Sequence, residues 1–484
     1  MCLLLVTNKG FAQEDKDKTD FSKTDSTSYA LFLDANWLEL KKLGNIMLHN
    51  GMDYPYLRAR LGTAYFYLNN YTESIKHFAK ALEMNPYDQY SSLMHHYALK
   101  AIMRHTEAGS AWNRMTAPTQ RQAEHKKKFR LLELHADAGY IFRGATEGIS
   151  QTGLTGKDSI YGEEQLYQSG FFSDAGLRFQ LWPSISFYAG IQMIQPEVDN
   201  RFVFNRSWPV TDTIISSGGF DSYFYRLEKE AVDTLYKHKI RQQSFYGQLN
   251  FSPTANWRIT ASLHLMQVTR PYTEAQFLEL FWSDTAWINT NTGEVSMIEA
   301  PIGQYSFLNK QEKFTDWSAG TEIRYHHRIL TGDAGFFLTE NSREKTFQLQ
   351  AGLMVMPFGN LNFYTHSRLA LLQSRNDQEI VIKQTAGGRL AGPLWIEASV
   401  TAGKAGRFSD QAAYLVFNSP EGPALRTEFI CTYLIGENLQ LSLRHHYQLS
   451  DHLYYSFDAE SGTLKNNNYH IHSQTITGGI KWIF

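Results

Sequence analysis

Three pairs of adjacent histidines, His95-His96, His326-His327 and His445-His446, and a spaced pair, His470 and His472, are residues that could bind a metal or move protons. Adjacent residues of a strand point to opposite faces, so such pairs cannot close on one ion there. Only His470 and His472, two apart, share a face. A catalytic zinc helix needs the HExxH spacing, which sets two imidazoles one turn apart, and the chain has none. It also lacks a phosphate-cradling GxxxxGK loop and a GxSxG nucleophile turn. GGRLAG at 387–392 reads as a strand end and turn, because no helix follows it. The expectation is a protein that is not an enzyme, with no catalytic residues, no cofactor and no metal.

The other residues with chemical potential are charges set at alternate positions in apolar segments. Arg178, Arg258, Glu322, Arg324, Arg368, Glu397, Arg426 and Arg444 are of this kind. In FFSDAGLRFQL, Phe171, Ala175, Leu177, Phe179 and Leu181 share one face while Asp174, Arg178 and Gln180 share the other. TFQLQAGLMV, LWIEASVTA and LQLSLRHHY repeat the arrangement. A face of aliphatic and aromatic residues backed by charge is the signature of a strand with lipid outside and a polar lumen inside. Mixed charges in such a lumen either brace the wall as ion pairs or line a polar pathway.

Those strands must be positioned by a sheet. From about residue 129 onward the period-2 pattern is continuous, and connections alternate between short and long. Short ones are expected at 182–184, 252–255, 330–332, 358–360, 391–393 and 436–438. Long ones are expected at 143–168, 205–238, 271–310, 341–343, 374–378, 405–423 and 451–469. This gives about 14 strands, an even number that returns both ends of the barrel to one side. Trp182, Trp257, Trp395 and Trp482 fall at the short-turn end, where an interfacial aromatic belt belongs. Strict parity turns Trp182 and Trp395 inward. The segment 271–310 carries Phe277, Phe281, Trp282, Trp287 and Ile288 and has three readings: an inward plug, a sugar-stacking surface or a protein contact.

Before the barrel the period is helical. The full chain has 484 residues and a net charge of −2, which gives no field for nucleic acid, and no apolar run long enough for a membrane-crossing helix. MCLLLVTN followed by KGFAQ reads as a signal peptide over 1–12, cut after Ala12. Residues 13–27 read as a disordered linker and 28–126 as a helical domain. With the signal removed, Cys431 would stand alone. In 55–88, PYLRARLGTAYFYLNNYTESIKHFAKALEMNPYD, Gly62 lets two helices approach, Tyr65 and Phe78 fill the space between them, and Pro86 ends the second.

That spacing resembles the tetratricopeptide repeat. The fold class is therefore α+β multidomain: tetratricopeptide-like helical hairpins followed by an antiparallel transmembrane β-barrel. The chain ends GGIKWIF, and Trp482 and Phe484 resemble the C-terminal assembly signal of bacterial outer-membrane barrels. The order of parts resembles exopolysaccharide-export porins and repeat-plus-barrel proteins of the Bacteroidota. The resemblance implies an outer-membrane location, a periplasmic helical domain, and loops near Thr155, Ser217 and Asn291 outside. It implies contact with membrane lipid, with the barrel-insertion machinery, with a polysaccharide or small polar solute, and with a periplasmic protein. Arg58, Tyr65 and Asn69, on one side of the first repeat helix, are the candidate groove for that protein, although the Tyr65 position is also a packing position in the repeat. The function expected is a channel or export porin; the alternative is a non-conducting scaffold subunit of an envelope complex.

Overall fold

The computed structural model describes residues 21–123, 129–143, 151–152, 161–341, 344–375, 377–416, 423–458 and 463–484. The expected signal peptide, the loop near Thr155 and the first part of the expected linker lie outside these residues. The rest of that linker is helical. α1 (Phe21–Leu33) opens the helical domain, and α2 (Trp37–His49), α3 (Pro55–Tyr67), α4 (Tyr71–Met84), α5 (Gln89–Ala101), α6 (His105–Asn113) and α7 (Ala117–Gln122) follow. Ser and Thr are mediocre helix formers. Tertiary contacts hold α1 instead: Tyr54 donates to the Asp25 carboxylate, Arg60 reaches Asp25 at 2.5 Å and Ser28 at 2.6 Å, and the Phe21 ring meets Tyr54 at 5.2 Å.

The α3–α4 hairpin follows the sequence logic. Pro55 occupies the first turn of α3, where its missing N–H costs nothing. The Asn70 side chain caps α4 by accepting from Glu73 N. A Cβ at Gly62 would lie 2.9 Å from the Phe78 ring, so only glycine permits this helix spacing. Ser74, where the repeat prefers alanine, donates to the Gly62 carbonyl at 2.8 Å and so satisfies its own hydroxyl.

The C-terminal part is a closed barrel of fourteen antiparallel strands. Closure is made by the first strand, Arg130–Arg143, pairing with the last, Thr463–Ile483, in a register that sets Leu134 opposite Trp482 and Tyr140 opposite Ile476. The burial pattern is inverted relative to a water-soluble protein. Leu349 is 47% exposed while its neighbour Gln348 is 2% exposed; Ile480 is 49% exposed and Thr477 is 4% exposed. An outer face of Leu, Ile, Val and Phe around a polar interior is stable only when lipid is the outer solvent. Among the described residues no helix is long and apolar enough to cross a membrane, so the strands are the crossing elements.

The short turns gather at one end. The expected turn at 330–332 forms two residues earlier, where Arg328 takes a left-handed φ of 53° and Leu330 already begins the next strand. Trp182 is exposed rather than inward, because the register shifts between Gln180 and Trp182 and resets parity. Trp395 does line the interior.

At the other end, three of the expected long loops contain paired strands. Within 451–469 the strands Leu439–Asp458 and Thr463–Ile483 stay paired out to Asp458 opposite Thr463, and the other two form long ribbons. Ile185–Ser217 pairs with Phe220–Lys239 through a Gly218-Gly219 turn, both glycines at positive φ. Trp257–Asn289 pairs with Val295–His327 throughout. A tilted crossing needs about 10 residues, so each strand of these ribbons runs roughly 20 residues further, about 65 Å. The ribbons pack on each other: Phe202 meets Phe307 at 5.1 Å and Phe204 meets Tyr305 at 4.9 Å, while Phe277, paired with Tyr305 within its own ribbon, extends the cluster at 5.3 Å. Trp282 and Trp287 pack within this assembly, against Tyr225 and Phe220. The segment 271–310 is thus a projecting ribbon and not a plug.

Candidate functional site

The polar lumen is the chemically dense part of the chain. The strand register sets its charges on adjacent strands of one concave face, close enough to pair. Arg178 donates to Glu133 at 3.0 Å, and Arg324 to Glu322 at 2.7 Å. Arg368 sits 3.4 Å from both Glu322 and Asp333. Arg444 lies 3.7 Å from Glu428, Arg426 bonds His446 at 2.9 Å, and Tyr364 donates to Glu397. Seven of the eight lumen residues named from sequence border an interior cavity of about 770 Å³: Arg178, Arg258, Glu322, Arg324, Arg368, Glu397 and Arg444. Arg426 does not border it. The pairing neutralises most of the wall, so little free charge faces the cavity.

The cavity is blocked on the ribbon side by residues that the pattern placed in an outer loop. The segment Gly403–Val416, between the strands Leu394–Ala402 and Pro423–Ile435, folds inward with a short Ser409–Asp410/Leu415–Val416 ribbon. Lys383 donates to Asp410 at 2.5 Å, and Arg368 lies 3.5 Å from the same carboxylate. Ser409 N donates to Gln348 at 2.9 Å, and the Gln348 amide returns a bond to Ser409 O at 2.8 Å. Tyr246 and the His264 imidazole each donate, at 2.9 Å, to the carbonyls of Ala412 and Ala413. Tyr414 donates to Asp174. Gln411, Ala412 and Ala413 all hold left-handed φ, at 51°, 58° and 63°. That conformation costs non-glycine residues about 1–3 kcal/mol each, and the lumen contacts hold it. No local signal marks this segment as inward, since every partner comes from a distant strand.

The opposite end is covered by the helical domain. Glu107 on α6 is fully buried and meets Arg258 at 2.7 Å, His326 at 3.1 Å and Arg104 at 3.7 Å. Burial pushes its carboxyl up, but Arg258, the His326 hydrogen bond and Arg104 outweigh burial and hold it well below the usual range. Around it, Ser252 donates to Thr106 at 2.9 Å, and Arg104 donates to the Ala255 carbonyl. Arg328 reaches Glu73 at 2.9 Å. Burial raises the Glu73 carboxyl, and Lys76 and Arg328 bring it below its ordinary value. Ala255 and Leu361 of the turns pack on the Ile75, Leu99 and Ile102 cluster, and Met103 and Leu361 reach the cavity.

The candidate groove residues do not share one open face. Tyr65 is buried, stacked 5.1 Å from His77, and accepts a bond from Asn45. Asn69 takes a left-handed φ of 59° at the α3–α4 turn, and its carbonyl accepts from barrel residue Asn360 at 2.8 Å. Arg58 forks onto Asp53 with two bonds of 2.7 Å and touches His77 at 3.2 Å. At the barrel end, Trp482 faces outward, and Phe484 N donates to Leu132 O at 3.0 Å.

The tetratricopeptide repeat family model matches residues 55–88. That hairpin is a tetratricopeptide repeat. No curated protein matches the chain in sequence. Among solved structures, a KdgM porin matches at 7% identity, covering 50% of this chain and 92% of that one, with a TM-score of 0.27. A bacterial polysaccharide outer membrane secretin matches at 11%, covering 73% and 98%, with a TM-score of 0.29. A Pseudomonas aeruginosa FadL homologue matches at 9%, covering 79% and 94%, with a TM-score of 0.26. The chain is a helical region carrying a tetratricopeptide repeat, joined to a closed antiparallel β-barrel, and the strand closure described above carries the barrel assignment.

Proposed function

We propose that this protein is an outer-membrane barrel held shut at rest, serving to anchor a periplasmic tetratricopeptide docking domain, with its ribbons outside the cell. One observation carries the reading: the lumen is filled by Gly403–Val416 at one level and covered by α6 at another, both through buried ion pairs to the wall. An open porin has no use for Glu107 and Asp410 in those positions. The docking partner is a periplasmic protein. The side chains available to it are Tyr56, Tyr67 and Tyr87, all more than half exposed, rather than the engaged Arg58, Tyr65 and Asn69. Exposed tyrosines on a rigid helical scaffold favour protein contact.

A second reading is favoured by the cavity itself. Its polar lining fits a small polar solute or polysaccharide segment that passes once the inward segment is displaced, as an export channel requires. Planar-bilayer recording separates the two. The full chain should be silent or nearly so. Under the scaffold reading, residues 28–105 should retain a partner in native-membrane pull-downs. Steady, large conductance from the intact chain would overturn the closed-barrel reading. Opening driven by a polysaccharide would favour the channel.

A further inference from the structure

We propose that His135, Asp137 and Asp174 form a divalent metal site in the lumen wall, taking a zinc-class ion through one imidazole nitrogen and two carboxylates. One ligand atom from each of the three lies within 4.8 Å of the other two. Sheet register makes the cluster. Asp137 pairs directly with Asp174 across the strands Arg130–Arg143 and Tyr161–Trp182, and His135 lies two residues away on the same face, opposite Gly176. Two carboxylates directly opposed in a sheet repel each other, and a cation between them removes the repulsion.

A second observation points to the same ligand. Asp174 is 4% exposed and its Oδ1 has no hydrogen-bond partner, although its Oδ2 accepts from His135 at 2.9 Å and from Tyr414. A buried carboxylate oxygen without a donor is costly, and a metal ion would satisfy it. Space is kept for the group: a Cβ at Gly479 would lie 1.7 Å from Asp137 Oδ1, and one at Gly176 would lie 2.7 Å from His135 Cε1. His135 and Asp137 border the cavity, which supplies an entry path and water for a fourth position. Calcium and magnesium prefer oxygen alone, whereas imidazole with carboxylates suits zinc. Tetrahedral zinc with bonds of roughly 2.1 Å sets its ligand atoms about 3.4 Å apart, a spacing within reach of three ligand atoms that lie no more than 4.8 Å from one another. Tyr414 on Asp174 then orients that ligand and joins the ion to the inward segment.

The test uses the full chain, folded in detergent, loaded with zinc and competed with a graded chelator. One zinc per chain should survive. Loss of an orienting partner alone costs such sites about 10–100-fold in affinity, so His135→Gln and the near-isosteric Asp137→Asn should each cost about 100-fold or more. A His470→Gln/His472→Gln variant should retain the ion. Cobalt as a probe should give a visible absorption band that is lost in His135→Gln. Heat-modifiable gel migration reports folding; if His135→Gln does not fold, Asp137→Asn decides. A folded wild type that retains no zinc, or retention that depends on His470 and His472 and not on His135 and Asp137, would overturn the site.

Discussion

Replacing Glu107 with Gln should release the helical domain from the barrel without unfolding either part. The substitution preserves shape and removes charge, leaving Arg258 and Arg104 without their carboxylate in a site where the Glu107 side chain is fully buried. Breaking a buried pair from one side costs about 3–5 kcal/mol. Arg258 keeps some solvent contact, so the lower figure applies. At 1.4 kcal/mol per decade, about 3 kcal/mol raises the undocked population roughly 100-fold. Hydrogen–deuterium exchange reads this directly: amides of α6 should exchange faster by about two decades, while those of the α3–α4 hairpin and the barrel strands stay unchanged. Arg258→Met added to Glu107→Gln should recover part of the loss, since two neutral groups cost less than one orphaned charge. Acid has little leverage on Glu107 itself. Its carboxyl titrates well below 4.5 in the folded protein, so its contribution is present above that ordinary value and is lost only as pH falls through the depressed one. If α6 exchange in Glu107→Gln matches wild type, the junction is not held by this ion pair and the closed-mouth argument loses its support.

Further outcomes follow from the same contacts. Gly109→Ala should loosen the same junction by steric means, because a Cβ there would lie 1.5 Å from the Pro183 carbonyl oxygen; faster α6 exchange checks it, and wild-type exchange counts against the close approach. Burial holds His77 at about 4, His95 at about 3 and His96 at about 4, all below the ordinary 6.5. With the folded values depressed, the unfolded chain takes up protons first, so the helical domain should lose melting temperature as pH falls from about 6.5 toward 4 and be insensitive to pH above that window; a flat profile there would show that the histidines are accessible. Phe484→Ser should lower membrane levels and heat-modifiable migration, since its backbone closes onto Leu132 and its ring meets lipid; unchanged levels would argue against an assembly role. Cysteines at Ser217 and Asn291, at the ribbon tips, should label on intact cells with an impermeant reagent, and labelling only after permeabilisation would invert the proposed orientation.

The sequence by itself determined the repeating parts. Alternation of Leu349, Ala351 and Leu353 with Gln348 and Gln350 specifies a strand, its lipid face and its lumen face, because side-chain direction along a strand has a period of two. Gly62, Phe78 and Pro86 specify a helical hairpin for equally local reasons of spacing and backbone freedom. The number of barrel strands and the inward direction of the lumen charges follow from the same periodicity. Tertiary structure alone decided what closes the barrel. Gly403–Val416 carries no inward pattern of its own, and its conformation is held by Gln348, Lys383, Tyr246 and His264 from strands far apart in sequence. Asn69 reads as a groove residue on a free helix and becomes a barrel contact only because Asn360 is brought beneath it. The histidine and aspartates at 135, 137 and 174 are unremarkable in sequence, and the register between two strands makes them neighbours. The ribbons show the same division. Residues 205–238 and 271–310 read as loops because their polar residues mask a weak alternation, and they become strands because Phe202, Phe204, Tyr305 and Phe307 find one another across two hairpins. Local periodicity determines which way a side chain points, whereas long-range pairing determines what it meets.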